Sequence, residues 1–349
     1  MTADPAQILP VSPGSEPGKD IDEPPRGSSI YRYALTKIGG ALISLIMVIL
    51  VGFFAFKILP GDPVAKQAKE RAMSQEQIDA LRHQLGLDKS LIAQFWDYLG
   101  DIFTFKFGTS YVYQQSVSSL IGEYFWNTIL LTGTAATLAI VLGLWLGQRA
   151  AWKRGSWFDK ITSGTSLLLW SVPTFWLGLL LLMVFGGSLH WFPTGGMHSP
   201  SPPDGAWQTF LDVVSHMTLP VVTMVAVVYA QYVIVMRTSL IEEMSADYLN
   251  TARAKGLRED LVRSRHAVPN ALLPTVTLVF MHIGGLIAGA VTVETVFSWP
   301  GLGKLTYEAI SGPDLPLLQG TFVVFSAIII LMNLAADFVY RVLDPRVRR

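Results

Sequence analysis

The chain has 349 residues, of which 51% are apolar and only 15% charged, and its 26 basic and 26 acidic side chains cancel to a formal net charge of zero. So little charge at this length argues against a soluble protein and for membrane-embedded segments. There is no cysteine, which removes disulfides, zinc fingers, iron–sulfur ligation and a thiol nucleophile.

Residues 1–29 are rich in Pro, Gly, Ser, Asp and Glu and poor in large apolar side chains, the composition of a disordered tail. They lack the basic start and early apolar run of a signal peptide. From residue 30 onward the charges segregate, and uncharged runs of about 19 residues or more recur, roughly what a helix needs to cross a hydrocarbon core about 30 Å thick. These runs predict six spans, near 38–58, 127–148, 162–186, 214–236, 272–294 and 316–337, in an all-α membrane protein. Basic residues orient them, because short cytoplasmic loops keep Lys and Arg. Arg32 and Lys37 precede the first span, Arg149, Lys153, Arg154 and Lys160 lie between the second and third, and Arg341, Arg346, Arg348 and Arg349 follow the sixth. The stretch 187–215 has no Lys or Arg, and 298–315 has only Lys304. Both termini are therefore expected in the cytoplasm.

The extracytoplasmic segment of about 60–125 reads as structured. Ser74 and Gln77 fit a capping box with Gly86 as the helix stop. Leu91, Phe95, Tyr98, Leu99 and Ile102 have helical spacing and make one apolar face, suited to packing on the spans or lying on the membrane surface.

Enzyme signatures are missing. The nearest approach to a phosphate loop, Gly14 to Lys19, is one residue short and leads into Asp20. No H-E-x-x-H occurs, and no pair among the six histidines has ligand spacing on one helix face. Gly164-Thr165-Ser166 lacks the second glycine of a serine-hydrolase elbow. His282 falls inside a predicted span, where packing or an interhelix hydrogen bond is the expected role. Glu294, Asp337 and Lys57 stand only at span ends, whereas a channel or secondary carrier would place titratable groups within the membrane.

The inner loop of about 239–271 is the most informative segment. A helical run over 245–255, broken by Gly256, and a second run to about Val268 would make a compact knob able to enter a groove on a partner. It reads Tyr248-Leu-Asn-Thr251-Ala252-Arg253-Ala254-Lys255-Gly256-Leu257, followed by His266 and Pro269-Asn270. This pattern resembles the EAA loop of ABC-importer permeases, with Thr251 standing where the acidic residue would be. Leu59-Pro-Gly-Asp-Pro63, Ser171-Val-Pro173-Thr-Phe-Trp176, Val293-Glu-Thr-Val-Phe-Ser-Trp-Pro-Gly-Leu-Gly303 and Asp344-Pro-Arg346 are similar to the dipeptide/oligopeptide branch of that family.

The resemblance covers roughly residues 30–349. It implies the type I ABC importer permease fold and half of a pathway carrying peptides, with oligosaccharides, nickel complexes, glutathione or haem as alternative cargos. It implies a second homologous permease subunit, two ABC ATPase subunits, an extracytoplasmic substrate-binding protein and surrounding membrane lipid as partners, and no nucleic acid. No cofactor is expected in this chain, since ATP and Mg would be held by the ATPases. The family's coupling role would fall on Tyr248, Thr251 to Leu257, His266 and Asn270, with Ala252 and Ala254 facing the ATPase groove. Pro173 and Trp176 are candidate pathway or hinge residues.

Overall fold

The computed structural model describes residues 30–58, 74–84, 88–201, 203–312 and 314–343. The tail, Leu59-Pro-Gly-Asp-Pro63, Gly86 and Asp344-Pro-Arg346 lie outside them. The described residues form helices α1 (Ile30–Ile58), α2 (Gln75–Gln84), α3 (Leu91–Phe103), α4 (Val117–Trp152), α5 (Trp157–Ser171), α6 (Thr174–Leu181, widening into a π-type turn over Leu182–Ser188), α7 (Ala206–Met244), α8 (Asp247–Ala254), α9 (Glu259–Val262, continued by a π-type turn over Arg263–Ala267), α10 (Val268–Val296), α11 (Leu302–Ser311) and α12 (Leu315–Leu343). Among them there is no strand, only one isolated bridge between Thr109 and Ser116. The protein is all-α, as the uncharged runs require.

Among the described residues, α1, α4, α7 and α12 are each long and apolar enough to cross a membrane, and the pair α5/α6 raises the count to five. The fifth predicted span falls on α10, 29 residues without Lys, Arg or Asp. The helices overrun the apolar windows, because a helix continues past the hydrocarbon as long as its backbone bonds are made. Thus α4 begins at Val117 rather than near 127, and α7 runs from Ala206 to Met244 rather than over 214–236.

The third span expected over 162–186, with Pro173 as a kink or hinge candidate, is sharply bent at that proline. Val172 turns to extended backbone (φ −84°, ψ 129°), ending α5, and α6 leaves at a bend of 101°. Proline has no N–H for the helix ladder and pushes its predecessor out of the helical region, so Pro173 breaks the span outright.

Tight approach of α4 to α7 forms the centre. A side chain at Gly143 would meet the Tyr232 Cβ at 2.5 Å, and one at Gly147 would meet the Val233 carbonyl at 2.8 Å, as expected where small residues let two membrane helices touch. α10 packs on α7 and α12, and α1 packs on α12. α1 buries Ile49 and Phe53 and leaves Leu42, Ile43, Ile46, Met47, Val51 and Phe54 exposed. A helix apolar all round, with one face on protein, leaves its other face for lipid or another subunit.

The capping box forms as predicted, with Ser74 N–H donating to Gln77 Oε1 at 2.9 Å and Gln77 N–H to Ser74 Oγ at 3.4 Å. α3 packs on the bundle: Tyr98, Leu99 and Ile102 join Ile49 and Val323 in one cluster, and Phe95 meets Phe53 edge-on. Its other face leaves Ile92, Trp96 and Phe103 exposed. The stretch after it is pinned by buried Asp314, which accepts from Ser110 Oγ at 2.5 Å and from Val112 N–H at 3.0 Å while also taking the Leu317 N–H at the start of α12.

Candidate functional site

The knob between α7 and α10 is a Schellman-capped helix. α8 ends at Ala254, Gly256 takes φ +76°, and Gly256 N–H donates to the Arg253 carbonyl at 2.9 Å while Leu257 N–H reaches the Ala252 carbonyl at 3.4 Å. That double bond pattern, with a left-handed residue one place beyond the cap, satisfies carbonyls the helix end would otherwise leave free. Only glycine enters this conformation without penalty. Leu257 then folds back onto the cluster containing Ala252, the apolar contact that accompanies this cap.

The inner face of the knob is docked. Leu249, Ala252, Val262 and Ala267 pack with Ala151 of α4, Met236 and Leu240 of α7, and Ala271 of α10. Ala252 is thus turned into the loop's own core rather than toward a partner, so a bulky residue there would dislodge α8 itself. Thr251, Ala254, Lys255 and Gly256 form the exposed rim. Arg253 reaches across the turn to Glu259 at 2.8 Å and donates to Asn250 at 3.2 Å. The Tyr248 hydroxyl donates to Glu243 at 2.5 Å and accepts from Asn270 Nδ2 at 2.9 Å, and Asn270 also donates to the His266 carbonyl at 3.2 Å. Burial and the Glu243 carboxylate push the Tyr248 hydroxyl above its ordinary pKa. These bonds tie the end of α7, α8 and the start of α10 into one body, and Arg263 stacks over the Trp152 ring at 5.2 Å to add the end of α4.

At the other end of α10 stands a second constellation. Glu294 is fully buried, and its carboxyl oxygens accept from Thr128 Oγ1 at 2.7 Å, Gly303 N–H at 2.7 Å and Lys304 N–H at 3.1 Å. Thr128 Oγ1 in turn accepts from Leu302 N–H at 2.8 Å. The first turn of α11, whose N–H groups have no intrahelical partner, is therefore capped by a carboxyl from α10 and a hydroxyl from α4. Trp299 Nε1 donates to the Asn127 carbonyl at 3.0 Å and Asn127 Nδ2 to the Pro300 carbonyl at 2.8 Å. The two ends are about 40 Å apart along α10 at 1.5 Å rise per residue.

The family described as binding-protein-dependent transport system inner membrane component matches residues 139–349, and its N-terminal companion matches residues 30–132. The chain belongs to this family. It is 36% identical over 319 residues to the glutathione transport system permease protein GsiC of Escherichia coli K12, covering 91% of this chain and 99% of that one. The identity is 36% over 321 residues to a putative peptide permease protein of Brucella suis (91% and 99%), and 35% over 326 residues to the di/tripeptide transport system permease protein DppB of Pseudomonas aeruginosa (89% and 97%). The inward-facing MetNI methionine ABC transporter has a chain that superposes with a TM-score of 0.52 at 16% identity, covering 64% of this chain and 96% of that one. The permease is accordingly a multi-pass membrane protein with the type I ABC importer fold.

In this permease the residues expected to matter divide between places. Tyr248, Thr251 to Leu257, His266 and Asn270 are together in the knob. Pro173 sits at the span break, and Trp176, half-exposed, is on the outside of α6. Three features escaped the sequence reading: the Glu294–Thr128 cap, the Lys37–Asp337 ion pair of 2.8 Å joining α1 to α12, and the buried Asp159–Arg237 pair joining α5 to α7. Each has its partner far away along the chain, and the sequence signal was only a charge beside or within an apolar run.

Proposed function

We propose that this chain forms half of the translocation pathway of an ATP-driven importer of peptides, working with a second related permease subunit, two cytoplasmic ATPases and an extracytoplasmic binding protein. The observation that carries the reading is the knob of α8 and α9: a rigid, internally bonded body with an exposed rim at Thr251, Ala254 and Lys255, fused to α4, α7 and α10. A partner that moves this rim moves three long helices with it, which is what a transmission element must do. ATP and Mg belong to the ATPases, and closure of their dimer would swing the helices between inward-open and outward-open states. Peptide cargo is supported by relatives named for peptides and di/tripeptides. Glutathione, the cargo in the name of other relatives, is a second reading and is itself built of amide-linked amino acids.

The test is uptake of a labelled dipeptide and of glutathione by the reconstituted complex, with the Gly256→Val variant alongside. No atom lies within 4 Å of a Cβ placed at Gly256, so the whole penalty is backbone strain, about 1 kcal/mol or more for a β-branched residue at positive φ. Transport and copurification of the ATPases should both fall while the subunit still inserts. A variant that transports and assembles like wild type would remove the knob from the coupling path.

Counting α10 as a span gives six, with both termini and the knob cytoplasmic by the Lys/Arg bias. The chain has no cysteine, so Lys153→Cys should stay shielded from an impermeant thiol reagent in intact cells and Ser201→Cys should react. The opposite pattern would invert the topology.

A further inference from the structure

Between α6, α7 and α10 lies an open cleft lined by Thr174, Val228, Gln231, His282, Gly285 and Gly289 among others. The hydroxyl of Thr174, the amide of Gln231 and the ring nitrogens of His282 come from three different helices. Among the described residues none of them makes a hydrogen bond, and the contact His282 makes is an edge-on approach of its ring to Tyr232 at 5.9 Å. Polar groups on membrane helices do not face lipid without a partner; they face water, protein or a ligand. A Cβ at Gly285 or Gly289 would meet nothing within 4 Å, so these two glycines leave open the space into which any side chain would project. Thr174 begins α6 directly after the 101° break, and the first turn of α6 carries no side-chain cap. Interrupted helices whose freed backbone lines a cavity are how transporters bring polar groups to membrane depth.

We propose that this cleft is the stretch of the pathway that holds the main chain of a peptide in transit. The chemistry points to amides. Gln231 offers a donor and an acceptor, Thr174 a hydroxyl and His282 an imidazole, a set that pairs with peptide N–H and C=O groups. Among the described residues no carboxylate, Lys or Arg lines the cleft to select or trap a charged side chain. Met224, Val227 and Val228 supply an apolar wall against which varied side chains can slide. The inference rests on the peptide reading of the cargo and adds to it the place where this subunit touches that cargo.

The experiment uses the whole complex in proteoliposomes with ATP, the binding protein and a labelled neutral dipeptide. Gly289→Cys, placed in a chain without cysteine, should react with a small thiol reagent. The reaction should slow when dipeptide is being transported, whereas Ile43→Cys on the exposed face of α1 should be indifferent to it. Gln231→Leu should raise the KM for dipeptide uptake about fivefold, the worth of one neutral hydrogen bond, and Gly289→Leu should reduce uptake further by filling the cleft. Gly285→Cys replaces Gly289→Cys if the latter fails to assemble. If wild-type complex takes up no peptide, the cargo reading falls and this inference with it. If wild type transports but labelling ignores the peptide and Gln231→Leu keeps the wild-type KM, this inference alone is wrong. Cross-linking of Gly289→Cys to the second permease subunit would overturn it too, by giving the cleft a protein occupant.

Discussion

Glu294→Ala should destabilise the permease by about 3 kcal/mol or more and loosen α11 from the bundle. The carboxyl serves three donors at once, Thr128 Oγ1, Gly303 N–H and Lys304 N–H, in surroundings that exclude water, with Trp299 and Leu302 fully buried beside it. Each donor left unpaired in such a place costs about 1–3 kcal/mol, and the losses overlap because the three share one acceptor. Glu294→Gln keeps an oxygen for the two N–H groups and turns its amide toward Thr128, so most of the stability should return. Gly303→Ala should reproduce the damage from the other side, since a Cβ there would sit 2.5 Å from the Val291 Cα, backbone that cannot move aside. Thermal unfolding in detergent and limited proteolysis across residues 298–312 read both effects. If Glu294→Ala melts with the wild type, some other group caps α11.

That cap explains why the motif Val293-Glu-Thr-Val-Phe-Ser-Trp-Pro-Gly-Leu-Gly303 has its composition. Glu294 supplies the acceptor, Gly303 leaves room for α10 and the carboxyl to approach, and Trp299 is fully buried with its ring N–H paired to the Asn127 carbonyl. The motif was legible in the sequence as a likeness, and Glu294 as a charge at a span end. Its role was not legible, because Thr128 lies 166 positions away and nothing local announces that pairing. The knob was more readable: small residues, then glycine, then leucine spell a helix and its stop. The inward turn of Ala252 was not, since it depends on Ala151 and Met236 arriving from two other helices.

Proline shows the limit most plainly. Pro220 lies within α7 and Pro274 within α10, both continuous helices, while Pro173 ends one. Composition around the three is similarly apolar, so the outcome is decided by what the next segment packs on. After Pro173, Gly178 faces Phe297, Val296 and Thr223 so closely that a Cβ there would meet them at 3.3–3.5 Å, an approach of α6 to α7 and the end of α10 that a straight third span would have to give up. The uncharged runs therefore announce how many apolar segments there are, and long-range packing decides which of them are straight.

Breaking the buried pair at the start of α5 should have an effect of the same size. Asp159 accepts from Arg237 Nε at 2.5 Å and Nη2 at 2.8 Å, and takes Gly155 N–H at 2.9 Å, so one carboxylate fixes both the turn before α5 and its contact with α7. The Asp159 side chain is 5% exposed and that of Arg237 28%, which leaves the arginine partly able to find water and the aspartate unable to. Arg237→Ala should therefore do more harm than Asp159→Ala, about 3 kcal/mol against somewhat less, because it strands the buried charge. The double variant Asp159→Leu with Arg237→Met removes both charges and keeps the volume, and should be more stable than Arg237→Ala alone. Melting temperatures in detergent of the wild type, the two alanine variants and the double alanine variant give the coupling directly, and the Leu/Met double tests the apolar replacement. Uptake should follow them, since Arg237 lies two turns before the end of α7, where α7 joins the knob. If the two single variants are harmless and the double adds nothing, α5 is held to α7 by apolar packing alone, and the ion pair is incidental to both stability and transmission.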